Sequence, residues 1–537
     1  MSVAVFTGGN TVTGVLREAA NAQPDSIFLD FQGNLFTYGE TLNAAQRLAA
    51  GLIVLGVEPG DRVVSVLDNN FQAVVAWFGI NLAGAVSVPV NTAYKGEFLR
   101  HQIADAGARI VIAEEDYAAR VAAVAVDLPA LTVLVHRGAA PADTPNSLDV
   151  ESLENVMGPQ AGHPLPDLTP SDLAMLIYTS GTTGPSKGCM ISHGYACNLA
   201  RQAIMCGDRR PDDIYWSALP LFHMNATATG LLSTAMLGGR SVVYPRFSLS
   251  GFWPDILRSG ATSIGLLGSM HPLIAEAPDS EESKKCFGQI RVVGAAPFPK
   301  DLQDKWRTRF GVEIMGAGGY GLTEAAMVTT GPLATRLDPN SSGPIAEDFD
   351  VIIADDDGDP VAHGQAGEVL IRPKRSNVMF SGYWNRPADT LKAIKDLWFH
   401  SGDIGKFGSN GEFYFVDRKK DYLRRRGENI SSFEMEATFQ NHPDIMDVAV
   451  HAVFSDMGED DVKVTCVLRE GADLTEQALC LWAIDRVPYF AVPRYIEFRD
   501  DLPRNPTGKV LKYRLREDGC TPQTWDREKH HVALARR

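Results

Sequence analysis

Residues 178–188 read Tyr-Thr-Ser-Gly-Thr-Thr-Gly-Pro-Ser-Lys-Gly, a composition that no packed core requires. Glycines at 181 and 184 let the backbone take positive φ, so that successive N–H groups converge on one point and receive an anion. The hydroxyls of Thr179, Ser180, Thr182, Thr183 and Ser186 add donors, and Lys187 adds a mobile positive charge. The loop follows the apolar run Leu173–Ile177 and so leaves the end of a strand, where α/β sheets receive ligands. Its chemistry is that of holding the phosphates of a nucleotide. A Walker A loop is excluded by counting: from Gly181 the second glycine would fall at 186, which is serine, and Lys187 is followed by Gly188 instead of a hydroxyl.

Three further segments extend the pattern. Gly318–Glu324 reads GGYGLTE, His400–Gly405 reads HSGDIG and Pro503–Val510 reads PRNPTGKV, with a basic run at Arg418–Gly427. With the loop, in this order and over nearly the whole chain, they resemble the adenylate-forming superfamily: acyl-CoA synthetases, peptide-synthetase adenylation domains and firefly luciferase. The local style is most similar to bacterial acyl-CoA ligases. The resemblance implies an α/β fold with a large multi-sheet N-terminal domain and a small mobile α+β C-terminal domain. It also implies ATP, Mg²⁺ and CoA as co-substrate.

Roles follow from the resemblance position by position. Thr179, Ser180, Gly181, Thr182, Thr183, Gly184 and Lys187 would hold the β- and γ-phosphates of ATP. Tyr320 resembles the aromatic that lies against adenine, and Gly294, Ala295 and Ala296 allow close approach. Thr323 would bond the α-phosphate, and Glu324 would hold Mg²⁺, a hard cation that prefers carboxylate oxygen. Asp403 and Arg418 would bond the ribose, Lys420 falls at the hinge, and Gly427 would line the pantetheine tunnel. His223 resembles the gate between acid pocket and thiol tunnel, with Gly318 and Gly319 near the acyl group.

Lys509 carries the heaviest task. Joining a carboxylate to the α-phosphorus of ATP brings two anions together, and a positioned ammonium lowers that barrier. The implied reaction has two steps: acyl-AMP forms with release of pyrophosphate, then the small domain swings, withdraws Lys509 and brings Gly427 toward the thiol. Rival readings are an acyl-AMP ligase that loads a carrier protein and, from a different class, a nucleotide-binding regulator without catalysis.

The acid is constrained more loosely. Leu219–Thr229 reads LPLFHMNATAT and holds no acidic residue, so the ammonium of an amino acid would be buried without a partner, which is costly. Small residues at Met315–Gly319 and a mainly apolar Ala261–Leu273 favour an uncharged fatty, bulky or alicyclic acid. A crotonobetaine/carnitine-type substrate is the alternative, although no aromatic cage for a quaternary ammonium can be placed. His223 has no His, Cys or acid at ligand spacing beside it.

These groups need scaffolds to hold them. At 537 residues the chain exceeds one core and divides into two or three units. Helical and strand signals alternate through the first four-fifths, which implies helices on mainly parallel sheets. Asn69–Tyr94 carries no charge, yet Gly84 divides it into a helix over Phe71–Leu82 and a strand over Val86–Val90, so no transmembrane segment is expected. Glu97–Ala106 reads as a helix stopped by Gly107; Arg62–Leu67, Arg109–Ala113 and Ser241–Tyr244 read as strands. Ala139–Pro170 reads as a surface connection. After Asp417 the texture changes: Ser431 and Glu434 offer a capping box for a helix ended by Pro443, strands are expected at Val448–Val453 and Val462–Leu468, and a helix at Glu476–Asp485. The domains are 1–417 and 418–537.

Bulk properties exclude other classes. The net charge is −16, from 50 basic and 66 acidic residues, which repels nucleic acid. Seven cysteines without CxxC spacing read as free thiols in a cytoplasmic protein. The N-terminus lacks the basic and apolar regions of a signal peptide. The partners are then a small-molecule carboxylic acid, ATP and CoA, with a homodimer left open.

Overall fold

The alternation before Asp417 builds two seven-stranded sheets. The computed structural model describes residues 5–158, 164–179, 185–268, 270–296, 298–336, 338, 341–418, 422–425, 428–455, 459–504 and 510–534. One sheet runs, in spatial order, Asp149–Ser152, Val133–Arg137, Ile110–Glu114, Arg62–Val66, Val86–Pro89, Leu173–Thr179 and Lys187–Ser192. All pairs are parallel except the last, an antiparallel hairpin that opposes Thr179 to Lys187. The second runs Ile314–Gly316, Val292–Gly294, Ser263–Gly265, Ile214–Ser217, Arg240–Val243, Ile27–Phe31 and Asn34–Thr37, again parallel except at its last pair.

The uncharged stretch folds back on itself as expected. The Asn70 side chain accepts the Ala73 N–H at 3.0 Å and starts a helix over Phe71–Leu82, whose strand partner Val86–Pro89 pairs with Arg62–Val66. Among the described residues no helix is long and apolar enough to cross a membrane. Gly107 ends the helix Gly96–Ala106 with φ +62, a conformation that suits glycine. One expectation is corrected. Within Ala139–Pro170, Asp149–Ser152 forms the edge strand of the first sheet and Leu153–Val156 a helical turn; four residues are too few to display a strand period, and pairing to Val133–Arg137 decides the matter.

A third, antiparallel sheet carries Phe349–Ala354, Gly367–Pro373 and Trp398–Phe407, with Ile394–Lys395 and Phe413–Arg418 also paired to the long Trp398–Phe407 strand. Beyond it, Tyr422–Arg425 and Glu428–Ser431 form a separate hairpin. A four-stranded mixed sheet follows (Ile445–Phe454, Asp460–Leu468, Tyr495–Phe498, Trp525–Asp526), with helices Ser432–Gln440 and Glu476–Ile484 contributing to its apolar core. This last region touches the first two-thirds of the chain at defined points. Phe98 packs into its core, and Lys95 Nζ donates to the Ile484 carbonyl at 2.8 Å. Glu434, expected to cap its own helix, turns Oε1 to the Ser186 N–H at 2.8 Å.

Candidate active site

Parallel strands present their carboxyl ends at one edge, and there the second sheet places its smallest residues. Ser217, Gly265, Gly294 and Gly316 stand in register on four neighbouring strands. A Cβ on Gly294 would meet nothing closer than the Ile264 carbonyl at 3.9 Å, so the row leaves room for a ligand. A cavity of about 930 Å³ opens over it, closed on another side by the end of Leu173–Thr179.

The structure brings most of the sequence-predicted residues to this cavity. Thr179, Lys187, Thr323, Glu324 and Asp403 line it, as do His223, Gly318 and Gly319 and the run Gly294, Ala295 and Ala296. Ser180–Gly184, Lys420, Gly427 and Lys509 lie outside the described residues, and of Arg418 only the backbone is described, opposite Asp403 in the third sheet.

Glu324 is 9% exposed and held from two sides. The Tyr383 hydroxyl donates to Oε1 at 2.9 Å, and Thr179 Oγ1 reaches the same oxygen at 3.5 Å. Its own carbonyl accepts the Phe380 N–H at 2.8 Å, which ties it to the segment before Tyr383. Next to it, the Thr323 carbonyl accepts the hydroxyl of the fully buried Tyr195 at 2.8 Å. Lys187 Nζ lies 3.3 Å from Asp389 Oδ2 and 5.1 Å from the centre of the Tyr383 ring. Cys189, also beside Glu324, is no nucleophile: burial, then the charge of Glu324, pushes its thiol well up.

Asp403 is 4% exposed and accepts the Tyr320 hydroxyl at 2.7 Å. Tyr320, expected against adenine, lies between the lining residues Gly319 and Gly321. Its hydroxyl is bonded to Asp403 and its ring packs on Phe413 at 4.8 Å, so in this conformation it braces the aspartate. Gly319 lines the cavity, yet its need for glycine has another source. A Cβ there would fall 2.1 Å from the Thr329 carbonyl, whereas one on Gly318 would meet only Met327 Cε at 3.3 Å and Cys206 Cβ at 4.0 Å. Glycine at 319 is therefore demanded by the backbone behind it, whereas a Cβ at 318 would press only on the flexible end of Met327.

Also in the lining, His223 Nε2 is 3.2 Å from Glu428 Oε2, a residue of the hairpin beyond the third sheet. Sequence reasoning missed Glu428, Tyr383, Asp389 and Tyr195. It also missed a polar floor of Arg209, Tyr215 and Ser263 that lines the cavity, where an apolar surface was expected. Among the described residues no group of three or more His, Cys, Asp or Glu could hold a metal ion by itself.

Known proteins share the sequence pattern and the fold of this chain. The family model of AMP-binding enzymes matches residues 16–384, and that of the AMP-binding enzyme C-terminal domain matches 434–509. The crotonobetaine/carnitine–CoA ligase of Proteus mirabilis (strain HI4320) is 30% identical over 517 residues, covering 93% of this chain and 97% of that one. The feruloyl-CoA synthase of Amycolatopsis sp is 31% identical over 504 residues, covering 93% and 96%. Among solved structures, a double mutant of o-succinylbenzoate CoA synthetase from Bacillus subtilis, bound with a product analogue, superposes with a TM-score of 0.79 at 23% identity, covering 94% of this chain and 98% of that one.

Proposed function

The chain belongs to the AMP-binding enzyme family, and from that premise we propose that it is an AMP-forming acid–thiol ligase, which activates a carboxylic acid with ATP and passes the acyl group to CoA. The observation that carries this reading is one cavity lined both by Thr179, Lys187 and Glu324 and by His223 and Glu428. The relatives named above are CoA ligases along nearly their whole length, which supports free CoA as the acceptor.

In the first half-reaction Lys187 and the loop donors bind the outer phosphates, and Thr323 bonds the α-phosphate. Asp403 and Arg418 hold the ribose. Lys509 offsets the charge that accumulates as the acid's carboxylate oxygen bonds to phosphorus and pyrophosphate leaves. Glu324 suits Mg²⁺ carried with the nucleotide. It is a single buried carboxylate oriented by hydroxyls, which matches an ion that takes one or two carboxylates and completes its shell with phosphates and water. When bound, that ion supplies neutralising charge to the phosphates.

In the second half-reaction the thiol attacks the acyl carbon and AMP leaves. Glu428 already reaches His223 and both line the cavity, so the strand that follows Gly427 touches the residue read as the gate to the thiol tunnel. Residues 1–417 and 418–537 are the two units that move relative to each other, with Lys420 as the hinge at the start of the second. The free cysteines accord with a cytoplasmic enzyme. The test is pyrophosphate release across fatty, aromatic, alicyclic and betaine acids with CoA present. Acid-dependent release with formation of a thioester supports the ligase; ATP binding without turnover of any acid supports a regulator.

A further inference from the structure

The floor of the cavity holds polar groups that the reaction as drawn does not use. Tyr215 and Ser263 are in register on neighbouring parallel strands, so their side chains share one face of the sheet, and both line the cavity. They are 4% and 1% exposed. Among the described residues neither hydroxyl has a hydrogen-bonding partner. Both hydroxyls are open to the cavity and can donate to what fills it. Gly265 makes space for the phenol: a Cβ there would lie 2.2 Å from the Tyr215 hydroxyl oxygen.

Above this pair lies Arg209. Its guanidinium carbon sits 4.0 Å from the centre of the Tyr215 ring, and Nη1 donates to the Thr229 carbonyl at 2.6 Å and to Ser233 Oγ at 2.5 Å. Those contacts fix the planar group against the ring and leave Nε and Nη2 uncommitted. No carboxylate neutralises it among the described residues. The adjacent Asp208 is directed elsewhere, 3.3 Å from Arg210 and 3.5 Å from Arg291. In a chain of net charge −16, this half-buried guanidinium at the cavity wall thus has no acid partner among the described residues. A fixed guanidinium is a receptor for oxygen anions.

We propose that the acid pocket selects a carboxylic acid that bears a second oxygen acceptor at its far end, a carboxylate before a neutral hydroxyl, received by Arg209 together with the hydroxyls of Tyr215 and Ser263. The assignment rests on the ligase reading and replaces the uncharged acid expected from sequence. The distal oxygen accepts from the guanidinium and the two hydroxyls, while the reacting carboxylate lies toward Thr323. An acid ending in a methyl group displaces water from three donors and pairs none of them, the situation in which polar sites discriminate most strongly.

The experiment compares matched acids: α,ω-dicarboxylic acids against monocarboxylic acids of equal length, and para-hydroxycinnamic against para-methylcinnamic acid. Thioester formation is read as kcat/KM in the wild type, Arg209→Met, Arg209→Lys and Tyr215→Phe. The expected result is a preference of more than about tenfold for the oxygen-bearing member of at least one pair, collapsing in Arg209→Met, partly kept in Arg209→Lys and reduced in Tyr215→Phe. Should Arg209→Met not fold, Tyr215→Phe and Ser263→Ala carry the test. Turnover that favours the methyl-ended acids, or a preference that survives these substitutions, overturns the proposal and leaves the ligase intact. Failure of every acid to release pyrophosphate overturns the ligase reading itself.

Discussion

Tyr383 holds Glu324 across 59 residues of sequence: its hydroxyl donates to Oε1 at 2.9 Å while its ring faces the Lys187 ammonium at 5.1 Å. One side chain therefore orients the carboxylate proposed for the metal and lies under the cation proposed for the phosphates. Neither contact requires Tyr383 to touch a substrate, so it acts as a positioning residue.

Removing only the hydroxyl separates those two duties. Tyr383→Phe keeps the ring under Lys187 and removes the 2.9 Å hydrogen bond to Glu324 Oε1. A hydrogen bond to a charged group contributes roughly 1.5–3 kcal/mol, so acyl-AMP formation should fall about tenfold or more, and the Mg²⁺ concentration for half-maximal rate should rise. Tyr383→Leu should in addition raise the KM for ATP. Pyrophosphate exchange measured against Mg²⁺ and against ATP distinguishes the two; an unchanged Mg²⁺ requirement in Tyr383→Phe would contradict the orienting role.

Asp389 makes the opposite kind of contact. It pairs with Lys187 at 3.3 Å with side chains 34% and 19% exposed, so it competes with phosphate for that ammonium. A partly exposed pair is worth up to about 1 kcal/mol. Asp389→Asn should accordingly lower the KM for ATP by up to about fivefold in pyrophosphate exchange. A raised KM would mean that Asp389 presents Lys187 to the nucleotide instead of withholding it.

The half-reactions should separate by residue. Lys509→Ala should lose about 10²–10³ in acyl-AMP formation yet convert supplied acyl-AMP to thioester. Glu428→Gln, which weakens the 3.2 Å contact to His223, should impair the thioester step more than adenylation. Single-turnover assays of each step with isolated acyl-AMP give the comparison, and equal loss of both steps in both variants would contradict a swing between them.

What could be seen in the sequence follows from how local each determinant is. The phosphate loop, the Phe71–Leu82 helix and the Gly107 stop are written in contiguous residues, and the described parts fold as read. The Asp149–Ser152 edge strand was hidden because its pairing partner, not its four residues, makes it a strand. Gly319 resembled pocket lining, yet its need for glycine comes from the carbonyl of Thr329 ten positions on, across a tight turn. Tyr383, Glu428 and Arg209 escaped for the same reason. Each matters through a residue far away in sequence, and nothing in its own neighbourhood marks it.

His193 tests the scaffold rather than the chemistry. Its ring is 1% exposed, Nδ1 accepts the Val12 N–H at 3.3 Å, and burial lowers its pKa to about 4, against a smaller upward pull from Asp172. The folded chain keeps the ring neutral where the unfolded chain protonates near the ordinary value of 6.5. Stability is therefore whole above 6.5, falls as pH drops from 6.5 toward 4, and the total loss through this ring is about 3 kcal/mol. His193→Asn retains an acceptor for Val12 and cannot titrate. It should be less stable than the wild type at pH 7.5, by about 1 kcal/mol for imperfect packing, and should lose roughly 2 kcal/mol less than the wild type on going to pH 5. Urea unfolding at the two pH values reads the difference directly. His451, whose pKa is likewise near 4, titrates in both proteins and cancels, so equal pH slopes would show that the His193 ring takes up its proton without opening the fold.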